Sequence, residues 1–419
     1  MPRICHIITT LFETSGSTRR TLAEVDHLIK KGWTVHLIVG KNACKTLITE
    51  CIGKGVEVFQ IRSLCKYIHP LREIDAFFQI ARIVEEQKYD IVHTHLAKAG
   101  ILGRFAARKA GVKAIVHTVH GPSFPKSVHW ALRSLFVALE RIAGRFTRAM
   151  IFVGKEIREN YMHARIADRQ MSHLIYTGRD FTAYKHALNM SAGQKAAIRN
   201  RHGIQEEDIV LGCVGRIVPS KGYAVPIGAM PALLKTYPNA RLIIIGKANL
   251  PEERHYELKL RRMIRELELE NRIFLVDYQR DIAQYYAIMD IFLLPSHYEG
   301  LPNVILEAAV MDIPIVAFDC GGVREVFEIC QGIWYLVPCG EPHAFYSALV
   351  TAVREMHSHR NNGNERASFS EIISRVWSID GMLRKTDELY EYLLGIPSFH
   401  YPANGSDRMS MHAGTSTGG

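Results

Sequence analysis

The sequence lacks any run of about twenty consecutive apolar residues, the length that a helix needs to cross a bilayer. Its first residues, MPRICHIITTLF, contain no small-residue cleavage site, so they favour a buried strand over a signal peptide. Eight cysteines are scattered along 419 residues without a C-x-x-C pair, which argues against a disulfide framework and a zinc site. These absences predict a cytoplasmic protein, for which peripheral attachment to the inner face of the membrane remains open.

Charge is abundant but unevenly distributed. Residues 1–180 carry a net charge of +13 and the remainder carries −3, which together give the formal +10. Such an excess indicates that the first half meets an anionic partner such as a membrane surface, although a solubilising surface would also explain it.

A non-enzymatic nucleic-acid-binding protein is the other interpretation of the positive charge. No RNP, helix-turn-helix or zinc pattern supports it, so no nucleic-acid partner is predicted.

Apolar, β-branched runs alternate with helix-length segments along most of the chain. TVHLIVG at 34–40 is typical of the first half and RLIIIG at 241–246 of the second, with a polar stretch at 183–207 between the two series. Strands that alternate with single helices predict parallel sheets built from βαβ units. The length of the chain suits two such units of roughly 200 residues each. The predicted fold class is therefore α/β, with two domains that are each built around a parallel sheet.

A pair of cations follows the first strand of the second half, in the segment GRIVPSKG at 215–222. Arg216 leaves the strand tip, and Lys221 lies just before Gly222 and the next helix. Ligands of parallel sheets collect at the carboxyl ends of the strands, and a helix N-terminus favours negative charge. The segment is not a Walker loop, because G-x-x-x-x-G-K-[ST] is absent. We therefore predict that Arg216 and Lys221 bind a diphosphate.

The segment HYEGLPNVILEAAV places Glu299 and Glu307 eight residues apart, across a turn between a strand and a helix. The acid and base of a glycosidase lie roughly 5–9.5 Å apart, whereas eight helical residues rise about 12 Å. The spacing therefore favours two separate contacts with one extended ligand. Glu299 would lie near a reacting sugar, and Glu307 would accept hydrogen bonds from ribose hydroxyls. A local ion pair at Glu307 is the alternative.

Together these motifs resemble the retaining glycosyltransferase family 4, whose members have the GT-B fold of two Rossmann-like domains facing each other across a cleft. The resemblance rests on Glu299-x7-Glu307, on Arg216 and Lys221, and on GGVRE at 321–325. It extends over roughly 3–395. The segment HTHLAKAGILGRFAARKAGVKAIVHTVHG is similar to bacterial members that build surface polysaccharides, lipopolysaccharide or lipid-linked oligosaccharides.

The resemblance implies that the first domain binds the acceptor, that the second binds the nucleotide sugar, and that a last helix crosses back. The predicted divisions are the acceptor domain at 1–182, a linker region at 183–207, the nucleotide-sugar domain at 208–377, the crossing helix at 378–396 and a disordered tail at 397–419.

Roles for individual residues also follow from the resemblance. Arg216 and Lys221 would neutralise the diphosphate, Glu307 would bind the ribose, and Tyr278, in the strand end VDY, would lie beside the base. His120, which ends a strand before Gly121, would contact the donor from the first domain. The remaining predicted donor contacts are backbone groups near Glu299 and in the first glycine loop: Gly16, Gly300, Leu301, Asn303 and Val304.

A metal is not predicted. His93 and His95 alternate along a strand and point the same way, but no third ligand or acidic partner is evident, and His117 is taken as structural. The family typically needs no metal, so no cofactor is expected and the nucleotide sugar is a substrate.

The resemblance implies transfer of a sugar, with retention, from a nucleotide-sugar donor to a glycan or lipid-linked acceptor in surface polysaccharide synthesis, and the expected donor is UDP-linked. A GT-B sugar-nucleotide 2-epimerase is the alternative, since it would bind its sugar nucleotide in the same way. Residues 126–148 mix apolar side chains with arginines, as a helix at a membrane surface does. A helix that packs against the domain explains this segment equally well.

Overall fold

The computed structural model describes residues 1–13, 15–121, 123–124, 129–330, 334–362 and 369–396, without the side chains of 359–362. The predicted tail at 397–419 and the start of the predicted amphipathic segment, 126–128, lie outside the described residues.

The first half of the chain folds around a parallel sheet in which seven strands are described, in the order β3-β2-β1-β4-β5-β6-β7. Its central strands are buried almost throughout, as parallel sheets covered by helices require, whereas the edge strand β3 is partly exposed. β1 and β4 are neighbours in the sheet, and the connections that follow them run to opposite sides of the sheet. We call this pair of strands the reversal point of the sheet. The strands are β1 Arg3–Ile8, β2 Thr34–Gly40, β3 Glu57–Ile61, β4 Ile91–His95, β5 Ala114–Val119, β6 Ala149–Phe152 and β7 Ser172–Leu174.

Helices cover this sheet. The helix that follows β3 packs beside the helix that follows β4, which in turn contacts the helix that follows β5, so these three form one layer. The helices are α1 Gly16–Lys30, α2 Lys45–Gly53, α3 Pro70–Gln87, α4 Ala97–Lys109, α5 Trp130–Gly144 and α6 Lys155–His163.

The second half repeats the architecture with a parallel sheet in which six strands are described, in the order β10-β9-β8-β11-β12-β13. The reversal point of this second sheet lies between β8 and β11. The strands are β8 Ile209–Val214, β9 Ala240–Ile245, β10 Ile273–Val276, β11 Ile291–Leu294, β12 Ile315–Asp319 and β13 Trp334–Pro338. The two sheets confirm the predicted fold class, an α/β protein with two Rossmann-like units.

The polar stretch at 183–207 is not a simple loop. It contains most of one helix and all of another, and both pack against a short helix of the second half. The helices from here to the end are α7 Thr182–Leu188, α8 Ala192–Asn200, α9 Ala224–Thr236, α10 Pro251–Glu266, α11 Ala283–Tyr286, α12 Asn303–Val310, α13 Val323–Ile329, α14 Pro342–Asn362, α15 Ser370–Val376 and α16 Ile379–Leu394.

Local chemistry explains several of these boundaries. Lys31 and Gly32 close α1, and Gly32 adopts a φ of +81°, which a residue without Cβ reaches without strain. Pro70 opens α3, where its missing N–H costs no intrahelical bond. Ser191 and Gln194 form a reciprocal capping box at the start of α8.

The last helix, α16, lies against the first half of the chain. Asp387 pairs with His27 of α1, and its carboxylate is also 3.1 Å from Nζ of Lys31. Tyr390, fully buried, places its hydroxyl 2.5 Å from Nδ1 of His93 in β4. The helix therefore ties the end of the described chain to the core of the first sheet.

Among the described helices none combines the length and the apolar character that crossing a membrane requires.

Candidate functional site in the cleft between the sheets

A cavity of about 460 Å³ lies where the loops at the two reversal points face each other. The loops that follow β1 and β4 contribute one wall, and the loops that follow β8 and β11 contribute the other. Ligands of open parallel sheets bind at this position, beyond the carboxyl ends of the strands where the order reverses. The eleven residues predicted for the site all line this cavity: Gly16, His120, Arg216, Lys221, Tyr278, Glu299, Gly300, Leu301, Asn303, Val304 and Glu307.

The two predicted phosphate-binding cations are both held by carboxylates. Lys221, at the end of a short 3₁₀ turn, donates to Glu299, and both side chains are largely buried. Arg216 lies 3.3 Å from the buried Glu253 and keeps about a third of its side chain exposed. An anion that enters the cavity would therefore meet cations that are already oriented, and it would compete with Glu299 for Lys221.

The chain after β11 brings backbone amides to the cavity. Leu301, Asn303 and Val304 line it, and α12 begins at Asn303, so the N-terminus of this helix opens towards the cavity. Free N–H groups and the helix dipole favour negative charge at such an end. The predicted backbone contacts therefore lie beside the predicted diphosphate-binding cations.

Glu307 is the centre of a buried charge cluster. It accepts hydrogen bonds from Arg179 and from the hydroxyl of Tyr286, the latter at 3.0 Å. A guanidinium nitrogen of Arg19 lies 3.7 Å from the same carboxylate. Burial alone would lower the pKa of Arg179, but Glu307 together with Tyr184 and Tyr286 outweighs burial, so the pKa of Arg179 is raised. Glu307 therefore does form ion pairs, but with arginines that are distant in the chain rather than with local partners, and the predicted ribose contact stays a prediction.

Two arginines of this cluster were not predicted from the sequence. Arg19, in the first turn of α1, lines the cavity and reaches the hydroxyl of Tyr278 at 3.5 Å. Arg179 lies 128 residues before Glu307 in the chain. The position of Arg19 three residues after Gly16 was a usable signal, because the first turn of a helix after β1 lies at the same sheet edge. Arg179 offered no comparable signal.

Glycines allow the two walls to approach closely. A Cβ on Gly300 would lie 2.2 Å from the carbonyl oxygen of His120, which is backbone and has no rotamer to change. A Cβ on Gly16 would lie 2.4 Å from Nδ2 of Asn303, the end of a side chain that can turn away. Residues from both halves of the chain therefore meet within van der Waals distance at Gly300.

We expect Gly300→Ala to lower kcat/KM of the chain's reaction at least 10-fold, because the new methyl group forces the two walls apart. Gly121→Ala is the matched control, since the nearest atom of the described residues that its Cβ would meet is the Tyr298 hydroxyl oxygen at 3.6 Å. Steady-state kinetics of both variants, with melting curves, make the test. Equal kinetics for Gly300→Ala and wild type would contradict this close packing.

His120 directly follows β5 and belongs to a cluster of histidines behind the cavity wall. Its Nε2 lies 3.2 Å from Nδ1 of His95, and Nε2 of His95 lies 3.0 Å from Nδ1 of His6. His117 points elsewhere and bonds Thr94, which agrees with the structural reading.

The prediction that His93 and His95 have neither a third ligand nor an acidic partner was wrong. His6 in β1 and Glu24 in α1 lie beside them, and one possible ligand atom from each of the four falls within 4.8 Å of the others. The order of a Rossmann sheet, which puts β4 next to β1, was the signal that could have found His6. Hydrogen bonds already engage both nitrogens of His93 and both nitrogens of His95.

Burial lowers the pKa of these histidines. It falls to about 3 for His6 and for His120, and well below the ordinary value for His93, His95 and His117, where neighbouring cationic groups act in the same direction. Desolvation is the main cause, because an imidazolium in an apolar interior loses its hydration. The folded chain therefore holds these side chains neutral at pH 7.

We expect the free energy of unfolding to fall steeply as the pH drops from 7 towards 5. The unfolded chain binds protons at histidines below about pH 6.5, whereas the folded chain does not, so stability present above that pH is lost as the pH falls. Each such histidine contributes a slope of at most about 1.4 kcal/mol per pH unit. Urea unfolding at several pH values measures the slope.

His117→Asn should flatten that slope, because it removes one buried histidine and keeps an amide that can donate to the carbonyl of Thr94. His186→Asn, at an exposed position, should leave it unchanged. A slope that is the same in both variants and in wild type would contradict this origin of acid sensitivity.

Two family models match the chain. Residues 14–182 match "Glycosyltransferase Family 4" and residues 194–368 match "Glycosyl transferases group 1". The first covers the first sheet from α1 onwards, and the second covers the sheet that carries Arg216, Lys221 and Glu307.

Individual proteins that are similar to the chain are also named as glycosyltransferases. The chain is 27% identical over 342 residues to a UDP-Gal:alpha-D-GlcNAc-diphosphoundecaprenol alpha-1,3-galactosyltransferase of Escherichia coli, covering 80% of this chain and 84% of the relative. It is 27% identical over 263 residues to a GDP-mannose-dependent phosphatidylinositol monomannoside mannosyltransferase of Corynebacterium glutamicum, covering 61% and 65%. Among solved structures, Alr3699/HepE of Anabaena in complex with UDP-glucose superimposes with a TM-score of 0.75 at 21% identity, covering 93% of this chain and 99% of that one.

Proposed function

Because the chain belongs to the family 4 glycosyltransferases and has their GT-B fold, we propose that it transfers a sugar from a UDP-linked donor to a lipid-linked or glycan acceptor in surface polysaccharide synthesis. The observation that carries the proposal is the meeting of Arg216, Lys221 and the N-terminus of α12 in one cavity. The names of the relatives support the acceptor class and a uridine nucleotide.

The charges suggest how transfer proceeds. When the bond from the anomeric carbon to the diphosphate breaks, its electron pair leaves with the nucleotide, and an oxocarbenium-like sugar remains. Lys221, Arg216 and the amides at the start of α12 would stabilise the developing negative charge. Two fixed cations can supply the neutralisation that a metal gives elsewhere, so we also propose that the reaction needs no metal, which activity in EDTA tests.

Retention of configuration belongs to the same proposal. The acceptor hydroxyl would attack from the face that the diphosphate leaves, and a departing phosphate oxygen would take its proton. The new bond joins the acceptor oxygen to the anomeric carbon, and the released products are the glycoside and the nucleoside diphosphate. The anomeric configuration of the product, read by NMR, decides between retention and inversion.

A thermal-shift panel of nucleotide sugars tests the donor. Stabilisation by one UDP-sugar, and weaker stabilisation by GDP-sugars at equal concentration, is the expected result. A ligand at 100 times its Kd stabilises by about 2.7 kcal/mol, which the assay detects easily. Stabilisation by GDP-sugars alone would overturn the uridine assignment and leave the transferase assignment intact.

The epimerase alternative has a separate test. An epimerase converts the sugar nucleotide without an acceptor, whereas a transferase needs one. Incubation of the donor alone, followed by chromatography of the nucleotide sugars, should return the donor unchanged apart from slow hydrolysis. A new sugar nucleotide in that sample would replace our proposal with epimerisation.

We further propose that the layer formed by α3, α4 and α5 faces the anionic membrane surface that holds a lipid-linked acceptor. Trp130 and Leu135 of α5 are 74% and 52% exposed, and Arg133 and Arg145 lie exposed among the outward apolar side chains. The acidic residue of this helix, Glu140, is buried against Arg104 at 2.5 Å and leaves the outer face basic. A basic amphipathic face of this kind binds anionic lipid surfaces.

A second exposed apolar strip lies in the same layer, on α3. Leu71, Ile74 and Phe78 follow helical spacing and are each more than half exposed. Because α3 packs on α4, and α4 contacts α5, both strips belong to one layer of helices. The inner side of α5 packs on the domain through Ala143 and Gly144, which leaves the opposite, exposed face for the proposed membrane contact.

We expect Leu135→Ser with Ile142→Ser to weaken binding to phosphatidylglycerol vesicles at least 10-fold, because two exposed apolar side chains leave the lipid interface. Leu258→Ser, at an exposed apolar position on α10, is the control. Vesicle sedimentation measures the binding. Equal losses in both variants, or equal binding to phosphatidylcholine and phosphatidylglycerol, would contradict a basic membrane face on α5.

A further inference from the structure

Three histidines on neighbouring strands form a hydrogen-bonded line that ends at the cavity. His6 lies in β1, His95 ends β4 and His120 follows β5. Parallel pairing of β1 with β4, and of β4 with β5, brings the three rings to one side of the sheet. The rings of His6 and His95 stack with centroids 5.3 Å apart, and those of His95 and His120 lie 5.4 Å apart.

The line has a definite order of atoms. Nδ1 of His6 faces Nε2 of His95, and Nδ1 of His95 faces Nε2 of His120. His6 and His95 are completely buried, and His120 is partly exposed to the cavity that it lines. A neutral imidazole has one N–H and one bare nitrogen, so every proton in such a line points the same way.

The inner end of the line decides the direction. Nε2 of His6 is buried without a hydrogen-bond partner among the described residues. If the protons pointed inward, this atom would be an N–H donor with nothing to receive its proton. If they point outward, it is a bare acceptor, and unpaired buried acceptors are tolerated better than unpaired buried donors. The outward direction therefore has the lower cost.

We propose that His6 and His95 are positioning residues that hold His120 in the tautomer with its proton on Nδ1, so that Nδ1–H donates a hydrogen bond to an oxygen of the substrate bound in the cleft. In this arrangement His6 donates from Nδ1 to His95, and His95 donates from Nδ1 to Nε2 of His120. The part that concerns the substrate rests on the proposed function. The proposed tautomer of His120 does not depend on that function.

The surroundings hold the line in place. His93 packs against His95 with ring centroids 4.2 Å apart and bonds Tyr390 and Thr118 through its two nitrogens. Arg20, which forms a buried pair with Glu24 at 2.9 Å, adds positive charge near the rings and opposes their protonation. His120 thus presents a polar N–H to the cavity without adding a full charge to it.

Nitrogen-15 NMR of the full chain, labelled at histidine, tests the tautomer without any change to the line. Protonated and bare ring nitrogens resonate far apart, and the signals of His120 are assigned by their loss in His120→Asn. We expect Nδ1 to be protonated and Nε2 to be bare. The opposite assignment would overturn the proposal even if transferase activity is confirmed.

Substitutions at His95 test the consequence for activity. In His95→Asn the side-chain amide takes the place of Nδ1 and still donates to His120, so kcat should stay within about threefold of wild type. His95→Leu removes the donor, so kcat should fall about 10-fold with KM little changed, and the His120 signals should show a mixture of tautomers. Rescue by asparagine separates hydrogen bonding from packing.

His117 supplies the matched control, because it is equally buried, lies in β5 and does not belong to the line. His117→Leu should leave the tautomer of His120 unchanged, whatever it does to stability. Equal loss of kcat in His95→Asn and His95→Leu would overturn the proposal. So would one tightly bound metal ion per purified chain by elemental analysis, since a ligated nitrogen of His6 or His95 could not take part in the line.

Discussion

Lys221→Ala is expected to reduce sugar transfer at least 100-fold while the chain stays folded. Lys221 lies in the loop that follows β8, lines the cavity and pairs with Glu299. In the transition state its ammonium would face the charge that develops on the departing diphosphate. Removal of one such preorganised contact typically costs a factor of about 10²–10³ in kcat. The fall should therefore appear mainly in kcat.

The Lys221–Glu299 pair in the ligand-free chain offers a rival explanation, in which Lys221 only neutralises Glu299. A double-mutant cycle separates the two. If Lys221 binds the diphosphate, Lys221→Ala costs as much in a Glu299→Gln background as in wild type. If it only neutralises Glu299, the cost disappears in that background. Lys235→Ala, exposed on α9, is the control and should behave as wild type.

Glu307→Gln should damage both stability and donor binding. Its carboxylate is 3% exposed and compensates Arg179, with Arg19 at 3.7 Å. Breaking a buried ion pair by neutralising one partner costs about 3–5 kcal/mol, because the other charge stays buried without compensation. Loss of the predicted ribose contact should raise KM for the donor about 10- to 100-fold, in line with a hydrogen bond to a charged group.

A modified donor isolates the ribose contact from the structural loss. Wild type should discriminate against a 2′- or 3′-deoxyribose donor, and Glu307→Gln should lose most of that discrimination. Chemical denaturation of the ligand-free variant reports the structural part separately. If Glu307→Gln is destabilised but discriminates as well as wild type does, Glu307 is only the anchor of Arg179, and the predicted ribose contact is wrong.

The sequence allowed the fold and the identity of the cavity-lining residues to be predicted because both follow from local rules. Apolar runs separated by helices imply parallel sheets, and a parallel sheet collects the ends of its strands at one edge. His120 follows β5 directly, and Arg216 and Lys221 lie in the loop after β8, so their places in the cavity were foreseeable from their neighbours in the chain. The same rule applied to β1 and β4 would also have placed His6 beside His93.

The partners of these residues were not foreseeable, because they come from distant parts of the chain. Arg179 reaches Glu307 across 128 residues, and Tyr390 reaches His93 across 297. No local pattern specifies which buried carboxylate a given arginine will meet, since that depends on how the two halves and the last helix pack together. The ligand-free pairing of Lys221 with Glu299 was missed for the same reason.

The most direct test of the central claim is transfer itself, measured with a UDP-sugar donor and a lipid diphosphate sugar as acceptor. Mass spectrometry of the acceptor and release of UDP are followed together. The account predicts that the acceptor gains one sugar, that one UDP is released for each, and that both signals fall at least 100-fold in Lys221→Ala. A chain that binds the UDP-sugar but alters it without any acceptor, or that transfers at an unchanged rate in Lys221→Ala, would contradict it.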